Sequence, residues 1–121
     1  MIAMLLIASL PAHGQNDTAA FDGSKWEAPY FLAAPAGWDV ERFPIPIAFA
    51  PQIPYHGVED IRFTPGWARS TSDDYWTYAF LWYLDSMPEI NERIIENNLR
   101  AYYTGLINSN TEQRKIPAEK I

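Results

Sequence analysis

No cysteine occurs in the chain. Its absence removes disulfide scaffolds, thiol nucleophiles, zinc–thiolate sites and iron–sulfur ligation. Histidine is nearly missing too: His13 and His56 are the two present, too few for an imidazole metal centre. Positive charge is scarce. Nine Lys and Arg stand against fifteen Asp and Glu, a formal net charge of −6. Non-specific nucleic-acid binding needs the opposite balance. No apolar run reaches the ~20 residues of a membrane-spanning helix, so no integral membrane segment is expected once the N-terminal signal described below is removed.

What remains is rich in rings and proline. Hydrophobic residues make up 48% of the 121 and charged residues 20%, a balance that folds rather than staying disordered. Apart from Phe21, every aromatic residue lies between Trp26 and Tyr103, and that window reads as the folded body. Met1 to Leu10 is apolar except for Ser9, and Ala12-His13-Gly14 follows as a small-x-small cleavage site. Residues 1–14 therefore read as a signal peptide, although no Lys or Arg precedes the apolar run. The alternative is a buried N-terminal element. The expected organisation is a signal peptide at 1–14, a flexible leader at 15–24 and one domain over 25–108. Residues 109–121 are then a polar tail or the start of a truncated strand. An exported protein, periplasmic or secreted, is implied.

Phe43, Ile45, Ile47 and Phe49 alternate with Pro44 and Pro46. Proline cannot donate to a ladder, so this predicts an edge strand or an extended crossing segment. Tyr30-Phe31-Leu32 suggests a short strand. Val58 to Phe63 alternates like a half-buried strand, and Thr64-Pro65-Gly66-Trp67 is turn chemistry. Tyr75 to Leu84 is the most apolar stretch after the signal and predicts a central strand covered on both faces; a buried helix is the competing reading.

Ser86 and Glu89 fit a capping box, which predicts a helix from there to about Thr104, with Gly105 as its stop. Ile90, Ile94, Ile95, Leu99, Tyr102 and Leu106 fall on one wide arc of that helix, together with Asn91 and Asn98. The fold class is α+β: a small antiparallel sheet packed on one long amphipathic helix, thin enough to suggest an incomplete domain.

The run Tyr55-His56-Gly57-Val58-Glu59-Asp60-Ile61-Arg62-Phe63-Thr64-Pro65-Gly66-Trp67, followed by Asp74-Tyr75-Trp76-Thr77-Tyr78-Ala79-Phe80-Leu81-Trp82, resembles a family of exported bacterial proteins of unknown function. The similarity covers about residues 26–107. It implies export, an α+β body and, in longer members, more strands after the helix. It implies no activity, cofactor or site residue.

The candidates for chemistry are few. His56 with Glu59 and Asp60 has residue types suited to acid–base work, but on a strand Glu59 and Asp60 point to opposite faces. The ordinary reading is a solvated turn with surface charges. Asp73 and Asp74 could form a carboxylate pair, yet adjacent loop carboxylates usually cap or solvate. Trp67 and Trp82 could stack on a ligand, with Asn91, Asn98 and Arg62 as polar contacts; the alternatives are core packing and ordinary pairing. No metal site and no cofactor are expected.

Three functions compete. The leading one is a non-catalytic exported domain that binds a small apolar or carbohydrate-like ligand, or a protein partner, in an aromatic-lined crevice. The second is an exported hydrolase using His56 and a nearby carboxylate. The third is a structural domain that associates, for instance as a homodimer, through an open sheet edge.

Overall fold

The computed structural model describes residues 20–114. Three strands, β1 (Asp39–Ile45), β2 (Gly57–Phe63) and β3 (Tyr78–Leu84), precede one helix, α1 (Glu92–Arg114). The strands pair antiparallel in the order β1-β2-β3. The α+β class expected from the sequence is the class observed. The expected signal peptide at 1–14 lies outside the described residues, as do 115–121. Of the leader, 20–24 are described, and Asp22 closes a turn there by accepting from Ser24 N and Oγ (2.9 and 2.6 Å).

The register divides the side chains cleanly, because neighbours along a strand face opposite ways. Phe43, Glu59 and Trp82 stand side by side on one face; Arg42, Asp60 and Leu81 stand side by side on the other. The first face carries the core. Ile45, Ile47, Ala50, Ile53 and Tyr102 are buried together there, with Phe43, Phe49, Tyr55, Phe80, Trp82 and Leu84 packed around them. Tyr102 is the helix's main anchor: its ring stacks on Phe80 (4.9 Å, 11°) and meets Phe49 edge-on (5.1 Å).

The second face is covered by the N-terminal segment, which crosses it as an irregular strap. Tyr30 and Trp26 pack on Tyr83 at 5.6 and 6.1 Å, and Arg42 lies over the Trp26 ring. Tyr30-Phe31-Leu32 is therefore not a strand: the carbonyl of Leu32 is taken by the Arg62 side chain instead of a ladder partner.

Four further expectations are corrected. β3, the aromatic strand, is an edge of the sheet, and β2 is central; the charged residues of β2 are buried because they are paired, not because the strand is apolar. The proline-bearing segment is an edge, as expected: β1 lies at the other side of the sheet and starts at Asp39, and the absent donor of Pro44 is tolerated there. The helix begins at Glu92 rather than after Ser86, and Asn91 is its cap: Asn91 Oδ1 accepts from Ile94 N at 2.9 Å, and its carbonyl takes Ile95 N.

Gly105 does not stop the helix, which continues to Arg114. It is glycine because the helix backbone meets the Phe49 carbonyl there, leaving no room for a Cβ. The 109–114 segment, read as part of a polar tail, is helical.

The β2–β3 connection is stitched shut. Thr64 Oγ1 donates to the carbonyls of Asp74 and Thr77 (both 3.0 Å), Gly66 N donates to Asp74 Oδ2 (3.1 Å), and Trp76 N donates to Trp67 O (2.8 Å). Trp76 turns the chain into β3 with φ 61°, a left-handed conformation that costs an aromatic residue about 1 kcal/mol or more.

Candidate functional site

The first half of α1 is lifted from the sheet. Ile95 and Leu99 remain 48% and 38% exposed, although the helical arc places them on the sheet side, and Ile90, just ahead of the helix, is 67% exposed. Between them and β3 lies an open cleft of about 320 Å³. Phe80, Trp82 and Leu84 form one wall, Ile94, Ile95, Asn98 and Leu99 the other, and Tyr55 and Pro88 close the ends. The volume lies at the small end of the range for ligand sites. The lining is almost entirely apolar. Its polar atoms belong to Asn98 and Tyr55, joined by a bond from Asn98 Nδ2 to the Tyr55 hydroxyl (2.9 Å).

An aromatic ribbon leads into the cleft. Alternation along β3 puts Tyr78, Phe80 and Trp82 on one face, with successive rings 6.1 and 5.9 Å apart. Tyr55 meets the far side of Trp82 edge-on at 6.3 Å. At the other end, Phe63 continues the row to Trp67 at 4.4 Å. Trp67 is thus a half-buried cover at the end of the sheet away from the cleft, packed on Phe63.

Trp82, part of the cleft wall, is bonded on its other side to a buried carboxyl in the core. Glu59 is wholly inaccessible. Its Oε1 accepts from the Tyr102 hydroxyl (2.7 Å) and its Oε2 from Trp82 Nε1 (3.2 Å). Burial pushes its pKa up to about 7; the two hydrogen bonds favour the anion and hold the shift back, and Glu41 on β1 adds a little repulsion. The Tyr102 hydroxyl is raised as well, by burial and by the neighbouring Glu59. The Tyr78 hydroxyl is buried nearby, and burial first, then the neighbouring Tyr103 phenol, raise its pKa.

Asp60, one residue along and also wholly buried, faces the strap. Arg62 Nη1 and Arg42 Nε bind its Oδ1, the latter at 3.1 Å, and the Tyr30 hydroxyl donates to its Oδ2 at 3.0 Å. Burial alone would raise its pKa, but the bonds from Arg62, Tyr30 and Arg42 outweigh it and lower the value. On the same account Tyr30 is raised to about 12, by burial first and then by Asp60. Arg62 also donates to the carbonyls of Leu32 (3.0 Å) and Ala33 (3.2 Å). This network fastens the strap to the sheet.

The sequence candidates therefore separate. Trp82 and Asn98 meet in the cleft. Asn91 caps α1, and Arg62 is consumed by the strap on the opposite face. His56 is exposed, and its carbonyl takes Asp85 N (2.9 Å). Among the described residues no hydrogen bond joins His56 to Glu59, Asp73 or Asp74, and no group of three His, Asp or Glu side chains could hold a metal ion.

Asp74 is fixed in its loop: the Ser72 hydroxyl, above all, and Gly66 N lower its pKa. Asp73 is exposed beside it, so the two do not flank a cleft. Glu59 and Asp60 do point to opposite faces, as strand alternation required, but neither is a solvated surface charge.

Sequence reasoning missed Tyr55 as a partner of Asn98 and missed the whole Glu59–Tyr102–Trp82 cluster. Tyr55 lies in a proline-punctuated loop with no periodicity to orient it. Glu59 sits at a core-facing position of the strand, and that parity was its only signal.

No helix among the described residues is long and apolar enough to cross a membrane. Comparison of the chain with protein-family models, with curated proteins and with solved structures finds no match.

Proposed function

We propose that the chain is an exported, non-catalytic domain that binds a small apolar molecule in the cleft between β3 and α1. The observation that carries this reading is the cleft itself: four exposed or half-buried aliphatic side chains of the Ile90–Leu99 stretch face an aromatic wall across open space. A folded chain leaves such a surface open at the expense of stability, because apolar area in water forgoes about 25 cal/mol per Å².

The lining also chooses between ligand classes. A sugar ring needs several hydrogen-bonding partners, and the cleft offers Asn98 and Tyr55, already bonded to each other. An acyl chain or aromatic ring carrying one polar group fits better. A ligand burying about 250 Å² of apolar surface gains about 6 kcal/mol before the entropic cost of association, which sets a dissociation constant no tighter than tens of micromolar.

Titration with the neutral fluorophore N-phenyl-1-naphthylamine tests the reading. Saturable binding is expected, displaced by a medium-chain fatty alcohol. Ile95→Gln and Leu99→Gln, both at accessible positions, should weaken it roughly thirtyfold together, since each removes about 1 kcal/mol of apolar contact. Binding that is absent, or unaffected by both changes, overturns the proposal.

A further inference from the structure

The two edges of the sheet are finished differently. Along an antiparallel strand, successive residues turn their backbone groups to alternate sides. Asp85 N bonds His56 O and Thr64 N bonds Thr77 O, so within the β2–β3 register Ala79, Leu81 and Tyr83 are the residues of β3 that bond β2. The N–H and C=O groups of Tyr78, Phe80, Trp82 and Leu84 therefore face outward. Among the described residues none of these groups has a hydrogen-bond partner.

The same alternation turns Val40, Arg42 and Pro44 outward on β1. There Gly23 lies against the Arg42 carbonyl so closely that no Cβ would fit, and Pro44 has no N–H to offer. Both features stop a further strand from pairing. β3 has no such stop: Tyr78–Leu84 carries no charge and no proline, the usual means of keeping an edge from pairing. The cleft lies at this open edge. One of its walls is β3 and the other is the start of α1, so a strand laid beside β3 would send alternate side chains along the cleft mouth, toward the half-exposed Ile95 and Leu99.

We propose that β3 pairs antiparallel with β3 of a second copy of the chain, centred on Leu81, so that two three-stranded sheets become one of six strands and each cleft takes part of its wall from the other copy. The strand is complementary to itself in this register. Phe80 stands opposite Trp82 of the second copy, and Tyr78 opposite Leu84; these are the outward-facing residues, so every open N–H and C=O of the edge is paired. On the other face Leu81 meets its own equivalent, and Ala79 meets Tyr83. Asp85 falls opposite Thr77, not opposite another carboxylate. The twofold axis is perpendicular to the sheet, which keeps both core faces on one side. Phe80 and Tyr78 of the second copy then continue the aromatic wall beyond Trp82 and Leu84. An uncharged edge offers nothing for a partner of opposite charge to read, whereas its own sequence supplies the alternating apolar side chains that the cleft mouth can accept. The pair is closed, as twofold dimers are, because its outer margins are the two stopped β1 edges.

This pairing does not rest on the ligand reading above. The chain has no cysteine, so introduced cysteines report the register. Leu81→Cys sets two thiols opposite each other in a non-hydrogen-bonded pair, with Cα atoms about 4.5 Å apart, within reach of a disulfide. Ala79→Cys alone sets them about 14 Å apart along the strands. Under mild oxidation the intact Leu81→Cys chain is expected to become a covalent dimer, and Ala79→Cys to remain single. Ala79→Cys mixed with Tyr83→Cys should cross-link, which reads the same register if Leu81→Cys fails to fold. Wild type should show twice the mass of one chain by light scattering.

A wild-type protein that is monomeric at submillimolar concentration overturns the pairing. Equal cross-linking of Leu81→Cys and Ala79→Cys overturns it as well. So does a dimer in which neither Leu81→Cys nor the mixture cross-links, which would place the contact on another surface and leave the edge to a different strand. N-phenyl-1-naphthylamine binding by a chain that fails these tests refutes the pairing alone and leaves the ligand reading standing.

Discussion

Glu59 illustrates what a single residue does to the stability of this chain. Its pKa is pushed up to about 7 from 4.5, so between those values the folded state holds a proton that the unfolded chain has lost. Stability from this group is complete below the lower value and is lost as pH rises through the upper one. The shift corresponds to about 3 kcal/mol. Thermal unfolding should accordingly show a Tm that falls from about pH 5 to pH 8, and Glu59→Gln should flatten that slope. Asp60 acts in the other direction. Its pKa is lowered, so its contribution is present above the ordinary aspartate value and vanishes in acid. Asp60→Ala leaves Arg62 buried without its carboxylate, and breaking such a pair costs about 3–5 kcal/mol; urea unfolding would show the midpoint collapse. Gly105→Ala tests a third residue. Alanine in a helix normally stabilises by about 1 kcal/mol, but here the added Cβ collides with the Phe49 carbonyl. The expected change is a loss of about 2 kcal/mol, read as a drop in Tm.

At the scale of elements, the helix start carries the clearest prediction. Asn91 caps α1 through Oδ1, so Asn91→Ala should cost about 1 kcal/mol, while Ser86→Ala, at an exposed position outside the helix, should leave unfolding unchanged. Both effects are measurable by circular dichroism during denaturant titration. The capping-box spacing of Ser86 and Glu89 points to a start that the chain does not use; the cap is Asn91, which the helical arc places among the apolar residues.

Alternation made β3 legible, and the proline spacing made β1 legible as an edge. The order of the sheet was not legible, because apolar content is a poor guide to the central strand when buried charges are paired. Glu59, Asp60 and Arg62 look like a surface in a linear reading. Arg62 pairs with Asp60 two residues away, but the other partners of Glu59 and Asp60, namely Tyr102, Arg42 and Tyr30, are 43, 18 and 30 residues away, beyond the reach of any local pattern. Half of the cleft was legible. The arc containing Ile94, Ile95, Leu99 and Asn98 follows from helical spacing, and Trp82 from strand parity, but nothing local shows that the two would stand apart instead of closing on each other.

For the whole molecule, the arrangement is a sheet with two unlike coverings. One face is strapped by an ion network that leaves no charged partner spare. The other is held at the middle of α1 by Tyr102 and left open toward the start of the helix. That asymmetry is what makes the cleft a binding site in the present proposal, with no covalent staple in a chain that has no cysteine.

The most direct test is one titration of N-phenyl-1-naphthylamine into three proteins: wild type, Ile95→Gln and Phe31→Ser. Phe31 is the control, an apolar side chain 92% exposed on the strap, away from the cleft. Saturable fluorescence enhancement that is weakened in Ile95→Gln and unchanged in Phe31→Ser is the expected result. Enhancement that is lost with Phe31 and kept with Ile95, or that never saturates in any of the three, would contradict a ligand site between β3 and α1.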